Sequence, residues 1–168
     1  MKLSRVVATF LLAMQCLASA SQPTDAAGAA APVANTRDSG PEWQSWVLNC
    51  QGCHRADGQG TQDSSSVLAD TVARFLWAPG GRDYLIQVPG VASSELSDED
   101  LANLVNWMLV RFDKQHVPES FAPYTAAEVG RLRQRPLRLE APRIRAQLLN
   151  HANSQIVAAA RSKLLADK

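Results

Sequence analysis

The chain has 168 residues, 46% of them hydrophobic, with a formal net charge of +1. That length suits one modest domain with extensions and excludes a large multidomain protein. The near-zero total charge names no class of partner, but its distribution along the chain is uneven.

The first segment reads as a targeting signal over residues 1–20. Lys2 and Arg5 precede the apolar run "VVATFLLAMQCLA", and Ala18-Ser19-Ala20 forms a small-residue cleavage site. The run is too short and too rich in small residues for a membrane span. Gln15 precedes Cys16, so a lipid-modified cysteine is not expected, and cleavage after Ala20 discards Cys16. Residues 21–40, "SQPTDAAGAAAPVANTRDSG", hold almost nothing able to pack a core and read as a flexible spacer.

A first helix is predicted to begin near Pro41, capped by Ser39 with Glu42 completing a capping box. Trp43, Trp46 and Val47 would share its apolar face. At its C-terminal end stands "CQGCH". Cys50 and Cys53 are three apart and His54 follows directly, the pattern that attaches a c-type haem. In an exported chain such a pair could also form a strained small-loop disulfide or a redox dithiol. The adjacent histidine favours thioether bonds to haem vinyl groups, with His54 giving Nε2 to iron and its Nδ1–H needing a carbonyl partner.

"RADGQG" is turn material. A short helix is expected in "VLADTVARFLWAPGG", ended by Pro79-Gly80-Gly81, and another in "RDYLIQVPG", stopped at Pro89. The clearest helix is "SDEDLANLVNWMLVRF". Ser97 is its N-cap, acids fill its first turn, and Leu101, Leu104, Val105, Met108 and Phe112 make its buried stripe.

Beyond it lies a basic tail, residues 114–168. Thr125 with Glu128 forms a capping box for a short helix ending before Pro136. Pro142 opens a longer helix with Ile144, Leu148, Ala152, Ile156 and Ala160 at fourfold spacing. Residues 41–113 carry ten acids against four bases, a balance of −6, whereas residues 114–168 carry ten bases against four acids, a balance of +6. Six arginines fall between 131 and 145. They are expected to form a solvated face or to dock internally on the acidic segment, with recognition of an acidic redox partner as the sharper alternative. No internal repeat is visible.

Residues 41–113 resemble a class I monohaem cytochrome c in the first helix, "CQGCH" followed by "ADGQG", and the acid-capped closing helix "LSDEDLANLVNWML". The resemblance implies an all-α haem domain over 41–113, with the tail 114–168 as a helical extension. It implies one covalent haem c, thioethers at Cys50 and Cys53, His54 as proximal ligand, and Trp107 packing the closing helix near the first. The expected role is electron transfer in the periplasm, handing electrons to or from a redox protein there. No enzymatic constellation, nucleic-acid partner or membrane association beyond the signal is expected.

The chain also departs from that pattern. A ligand methionine is usual in the loop before the last helix, where this sequence has "QVPGVA" with Val88. Between His54 and Met108 there is no Met, His, Lys or Cys. The proximal-loop proline is replaced by "SSSVLAD", where a serine carbonyl could still accept from His54. Met108 sits mid-stripe and reads as core packing. Lys114 and His116 follow the helix, His151 is remote, and Tyr84 could hydrogen-bond a propionate or backbone. The sixth ligand stays open among Met108, Lys114, His116, Tyr84, water or none. An open position would make the protein a haem sensor or small-ligand binder, and a thiol redox pair at "CQGC" is the third reading.

Overall fold

A computed structural model of the protein describes residues 39–61 and 67–166. The expected signal 1–20, Cys16, most of the spacer 21–40 and the three serines before Val67 lie outside the described residues. All regular structure among those described is helical, as expected. Helix α1 spans Pro41–Asn49, α2 Gln51–His54, α3 Gly81–Gln87, α4 Pro89–Ala92, α5 Asp98–Asp113, α6 Ala126–Leu132 and α7 Ala141–Ala166. Two 3₁₀ helices, Val72–Trp77 and Lys114–His116, lie between them.

Helix α5 is the hub, and its sequence explains why. The Ser97 side chain accepts from the Asp100 backbone N–H at 3.1 Å, and acids at 98, 99 and 100 complement the helix dipole. Leu101, Leu104, Val105, Met108 and Phe112 are all buried, joined by Ala102 and Leu109. Helices α1 and α6 and the 3₁₀ helix Val72–Trp77 pack around that stripe. On α1, Trp46 is fully buried and its ring lies 4.6 Å from that of Phe112 and 6.2 Å from that of Trp107. Trp107 also meets Trp43 at 6.2 Å, so it does pack the closing helix against the first.

Several local expectations need correction. Gly40, at φ 104°, stands at the N-cap of α1, one residue after the expected Ser39, and supplies no side chain to cap it. Val47 faces solvent at 40% exposure, because the Trp43–Trp46 pair alone fills the approach to α5. The short helix expected within 67–81 is present as the 3₁₀ helix Val72–Trp77. Gly81 is the reason its neighbour can come so close: any Cβ there would collide with the Phe75 carbonyl. Pro89 does not only stop α3; it also opens the four-residue α4, since proline suits a first helical turn.

The basic tail is built into the same body. Thr125 caps α6 by accepting from the Glu128 N–H at 3.3 Å, but the Glu128 carboxylate turns away from the capping box to Arg82. Arg82 Nε and Nη2 donate to its two oxygens at 2.6 and 2.7 Å, while the guanidinium lies 4.0 Å over the Tyr124 ring. Asn106 of α5 bonds both the N–H and the C=O of Tyr124. Helix α7 packs chiefly on the 3₁₀ helix Val72–Trp77. Of its expected stripe Ala152 is buried, Ile144, Leu148 and Ile156 are half-buried, and Ala160 is exposed. Residues 160–166 at its end are all exposed.

Candidate functional site

The site begins with a break in the helix. Cys50, at φ −126° and ψ −37°, ends α1 while its carbonyl accepts from the N–H groups of Cys53 and His54 at 3.2 and 3.1 Å. That restarts the chain as one turn, α2. Positions three apart on a turn share a face, so both sulfurs are presented to the same side. Arg55, at φ 63°, then stops the turn, and its N–H donates to the Gln51 carbonyl at 2.7 Å. The following loop folds back: the Gly60 N–H donates to the His54 carbonyl at 2.9 Å. Gly58, at φ 73°, lets the loop press on Phe112, where an added Cβ would stand 2.8 Å from the ring.

Cys50, Cys53 and His54 all line a cavity of about 380 Å³. Its other walls come from the 3₁₀ helix Val72–Trp77, the α3–α4 region, α5 and the start of α7. Phe75 and Val72 belong to the 3₁₀ helix, Leu85 and Val88 to the region of α3, and Leu104 and Met108 to α5. Ala141, Pro142 and Arg145 of α7 complete it. Arg145 donates to the Val67 carbonyl at 3.2 Å and stands 5.1 Å over the Phe75 ring, which itself stacks on Tyr84 at 4.9 Å.

The donor set fits a covalently held haem. Two reduced thiols and an imidazole are carried by one turn at the wall of a mostly hydrocarbon chamber. Burial, with the neighbouring Cys53 adding to it, pushes the Cys50 thiol up to about 11. Cys50 is therefore a neutral thiol at physiological pH. It is a poor nucleophile for thiol–disulfide exchange, which disfavours the redox-dithiol reading. Behind His54, Trp46 lies with ring centroids 5.9 Å apart, giving the imidazole a rigid apolar backing.

Of the possible sixth ligands, the structure brings Met108 and Tyr84 to the cavity and leaves the others off it. His116 Nδ1 is bonded to the buried Asp113 carboxylate, and its carbonyl accepts from Trp77 Nε1 at 2.7 Å. Lys114 borders a different depression, beside Asp70 and Trp107. His151 is exposed on α7. Burial raises the Tyr84 phenol above its ordinary value, against the pull of the nearby Arg145.

Sequence reasoning missed the contribution of the tail to this chamber. Ala141, Pro142 and Arg145 carry no motif, and the six-arginine cluster signals only that positive charge gathers there. It also missed Arg133. Its guanidinium donates to the carbonyls of Ala92, Ser94 and Leu96, and to the Asp98 carboxylate at 3.1 Å. One side chain of the tail thus ties down the whole segment before α5.

No family model matches the chain. Two curated relatives do, both of them cytochrome c-552 of Thermus thermophilus, the second from the strain ATCC 27634. Each is 35% identical over 106 residues, a match spanning 52% of this chain and 81% and 72% of the respective relatives. A match of that extent, on an all-helical body with this chamber, settles the family: the chain belongs to the class I cytochromes c, electron-transfer proteins with covalently bound haem c.

Proposed function

We propose that this protein is an exported, periplasmic electron carrier holding one haem through Cys50, Cys53 and His54. The observation that carries the reading is the single turn Cys50–His54, which sets both thiols and the imidazole at the wall of one apolar chamber. Cys50 and Cys53 would hold the group through thioether bonds to its vinyl carbons, and His54 would offer Nε2 to its iron. When bound, the haem supplies a one-electron couple.

The chain's own part is to hold the group, exclude water and set its surroundings. Trp46, itself packed on Phe112, backs the imidazole, and Phe75, Leu85 and Leu104 line the chamber with hydrocarbon. Rigid, apolar walls limit reorganisation on electron transfer. Export is supported by the signal-like residues 1–20, and no helix among the described residues is long and apolar enough to cross a membrane. The partner is a periplasmic redox protein. Arg82, Arg133 and Arg145 are engaged inside the molecule, so Arg131, Arg135, Arg138 and Arg143 remain as the basic surface offered to it.

The test is expression with a haem-attachment system followed by acid-acetone extraction. Colour should remain with the denatured protein, and the pyridine haemochrome should show two saturated vinyl positions. Cys50→Ala and Cys53→Ala should each leave one vinyl free. Haem that leaves the wild-type protein in acid-acetone would overturn the assignment.

A further inference from the structure

We propose that the tail reverses the sign of the surface through which electrons are exchanged, so that an acidic haem segment docks on a redox protein presenting carboxylates. The proposal rests on the electron-carrier reading above, since only a loaded chamber has an electron to pass.

The first support is where the chamber meets solvent. Among its lining residues Asn49, Cys53, Pro89, Gly90 and Pro142 are exposed, and none of them is charged. Charge at the opening must therefore come from neighbouring residues. Pro89 and Gly90 open α4, and Pro142 lies in the first turn of α7. The Leu137 N–H donates to the Gln87 carbonyl at 2.8 Å, which moors the arginine-bearing segment two residues short of Pro89. Arg138 follows that mooring, and Arg143 follows Pro142.

The second support is the charge balance of that segment. Residues 131–145 hold six arginines and one acid, Glu140. Arg133 and Arg145 are turned to backbone carbonyls and to Asp98. Arg131, Arg135, Arg138 and Arg143 are exposed, and so is Glu140, which accepts from the Arg138 N–H at 3.2 Å. An excess of three positive charges is left on this segment, and α7 adds no acid anywhere in 141–166. On the α4 side Glu95, exposed beside the chamber residue Ser94, is a single opposing charge. Without the tail, the −6 of residues 41–113 would repel an acidic partner.

The third support is Leu139. It stands between Arg138 and Glu140 at 97% exposure, so its apolar area leaves water only against another molecule. An apolar point within a charged rim is the anatomy of a docking interface. Guanidinium groups around it pair in two-point fashion with carboxylates.

The experiment uses the full-length holoprotein matured in the periplasm. Acid-acetone extraction comes first: extractable haem would overturn the carrier reading, and this proposal with it. With haem retained, the reduced protein is mixed by stopped flow with hexacyanoferrate(III), an anion, or tris(phenanthroline)cobalt(III), a cation. One electron passes in each case, haem iron(II) becoming iron(III) while the metal of the reagent goes from the trivalent to the divalent state. Raising salt from about 0.01 M to about 1 M shortens the screening length from about 30 Å to about 3 Å. Over that range the anion's rate should fall about tenfold and the cation's should rise. Arg138→Glu with Arg143→Glu should reverse both trends. Arg161→Glu with Lys163→Glu changes the total charge equally at the exposed far end of α7, and should leave both trends as in wild type. A peptide of alternating glutamate and leucine should compete with hexacyanoferrate(III), and Leu139→Ser should raise the concentration needed several-fold. A wild-type preference for the cation would overturn the proposal while leaving the carrier reading intact. So would rates indifferent to salt, a peptide that does not compete, or a Leu139→Ser protein that competes like wild type. Two double variants that behave alike would also refute it, because total charge and not this surface would then steer the reaction.

Discussion

Replacing Arg133 with alanine removes one guanidinium from four acceptors. Nη1 reaches the Leu96 carbonyl at 2.9 Å and the Asp98 carboxylate at 3.1 Å, Nε reaches the Ala92 carbonyl at 3.3 Å, and Nη2 serves Ser94. The Asp98 pairing adds little, because that carboxylate side chain is 45% exposed and an exposed pair is worth about 0–1 kcal/mol. The carbonyls matter more. A hydrogen bond to a charged group contributes roughly 1.5–3 kcal/mol, but water can reach part of a surface segment once the arginine is gone. Allowing for that recovery, the loss should be about 2–3 kcal/mol of unfolding free energy. Urea unfolding followed by far-UV circular dichroism measures it as a lower midpoint at unchanged slope. Arg133→Lys should recover little, since an ammonium cannot serve spread acceptors as a planar fork does. The exposed Arg135→Ala is the control and should stay within about 0.5 kcal/mol of wild type. If Arg133→Ala behaves like Arg135→Ala, the clamp on the segment before α5 is wrong.

Gly81→Ala should destabilise by about 3 kcal/mol, as the added methyl meets the Phe75 backbone and not a yielding side chain; a shift in thermal midpoint within error of wild type would contradict the close approach. Burial raises the Asp113 carboxyl above its ordinary value of 3.8, and the hydrogen bonds from His116 and Ala73 oppose this without cancelling it. A carboxyl with a raised folded pKa binds its proton more tightly when folded, so its contribution is greatest below the unfolded pKa and is lost as pH rises through the folded one. The stability difference between wild type and Asp113→Asn should therefore fall as pH climbs through that window, and a rising difference would show that the His116 pairing wins. For the iron, the reduction potential should lie below that of a His/Met cytochrome, since Val88 stands where a ligand methionine is usual and a thioether would favour the reduced state. Redox titration beside a His/Met carrier at moderate salt decides it, and a potential as high as the carrier's with a sulfur-to-iron band would make Met108 the ligand.

What could be read from the sequence was local. Ser97 with its acids, the α5 stripe and the Thr125 cap involve neighbours within a few positions, and each is where the pattern puts it. The turn Cys50–His54 was equally legible, because its spacing and its chemistry coincide. The clearest misreading comes from a contact formed over a long separation: Glu128 deserts its capping box for Arg82, 46 positions away. Charge segregation indicated that tail and haem segment attract one another. It could not show that Arg133 grips backbone carbonyls or that Arg145 reaches Val67, since those acceptors have no sequence signature.

The chamber draws its walls from residues 49 to 145, and that has a consequence for how the protein is made. Cys50, Cys53 and His54 emerge from the ribosome early, whereas Ala141, Pro142 and Arg145 follow some ninety residues later. Until α7 is in place, the turn Cys50–His54 stands beside a chamber that lacks one of its walls. A chain stopped at residue 113 would keep both cysteines and the histidine but would lack the Arg133 clamp and the α7 wall. It should accept haem and hold it in a wetter, looser site, so the tail acts as a late-closing cover whose order of synthesis matches the order of assembly.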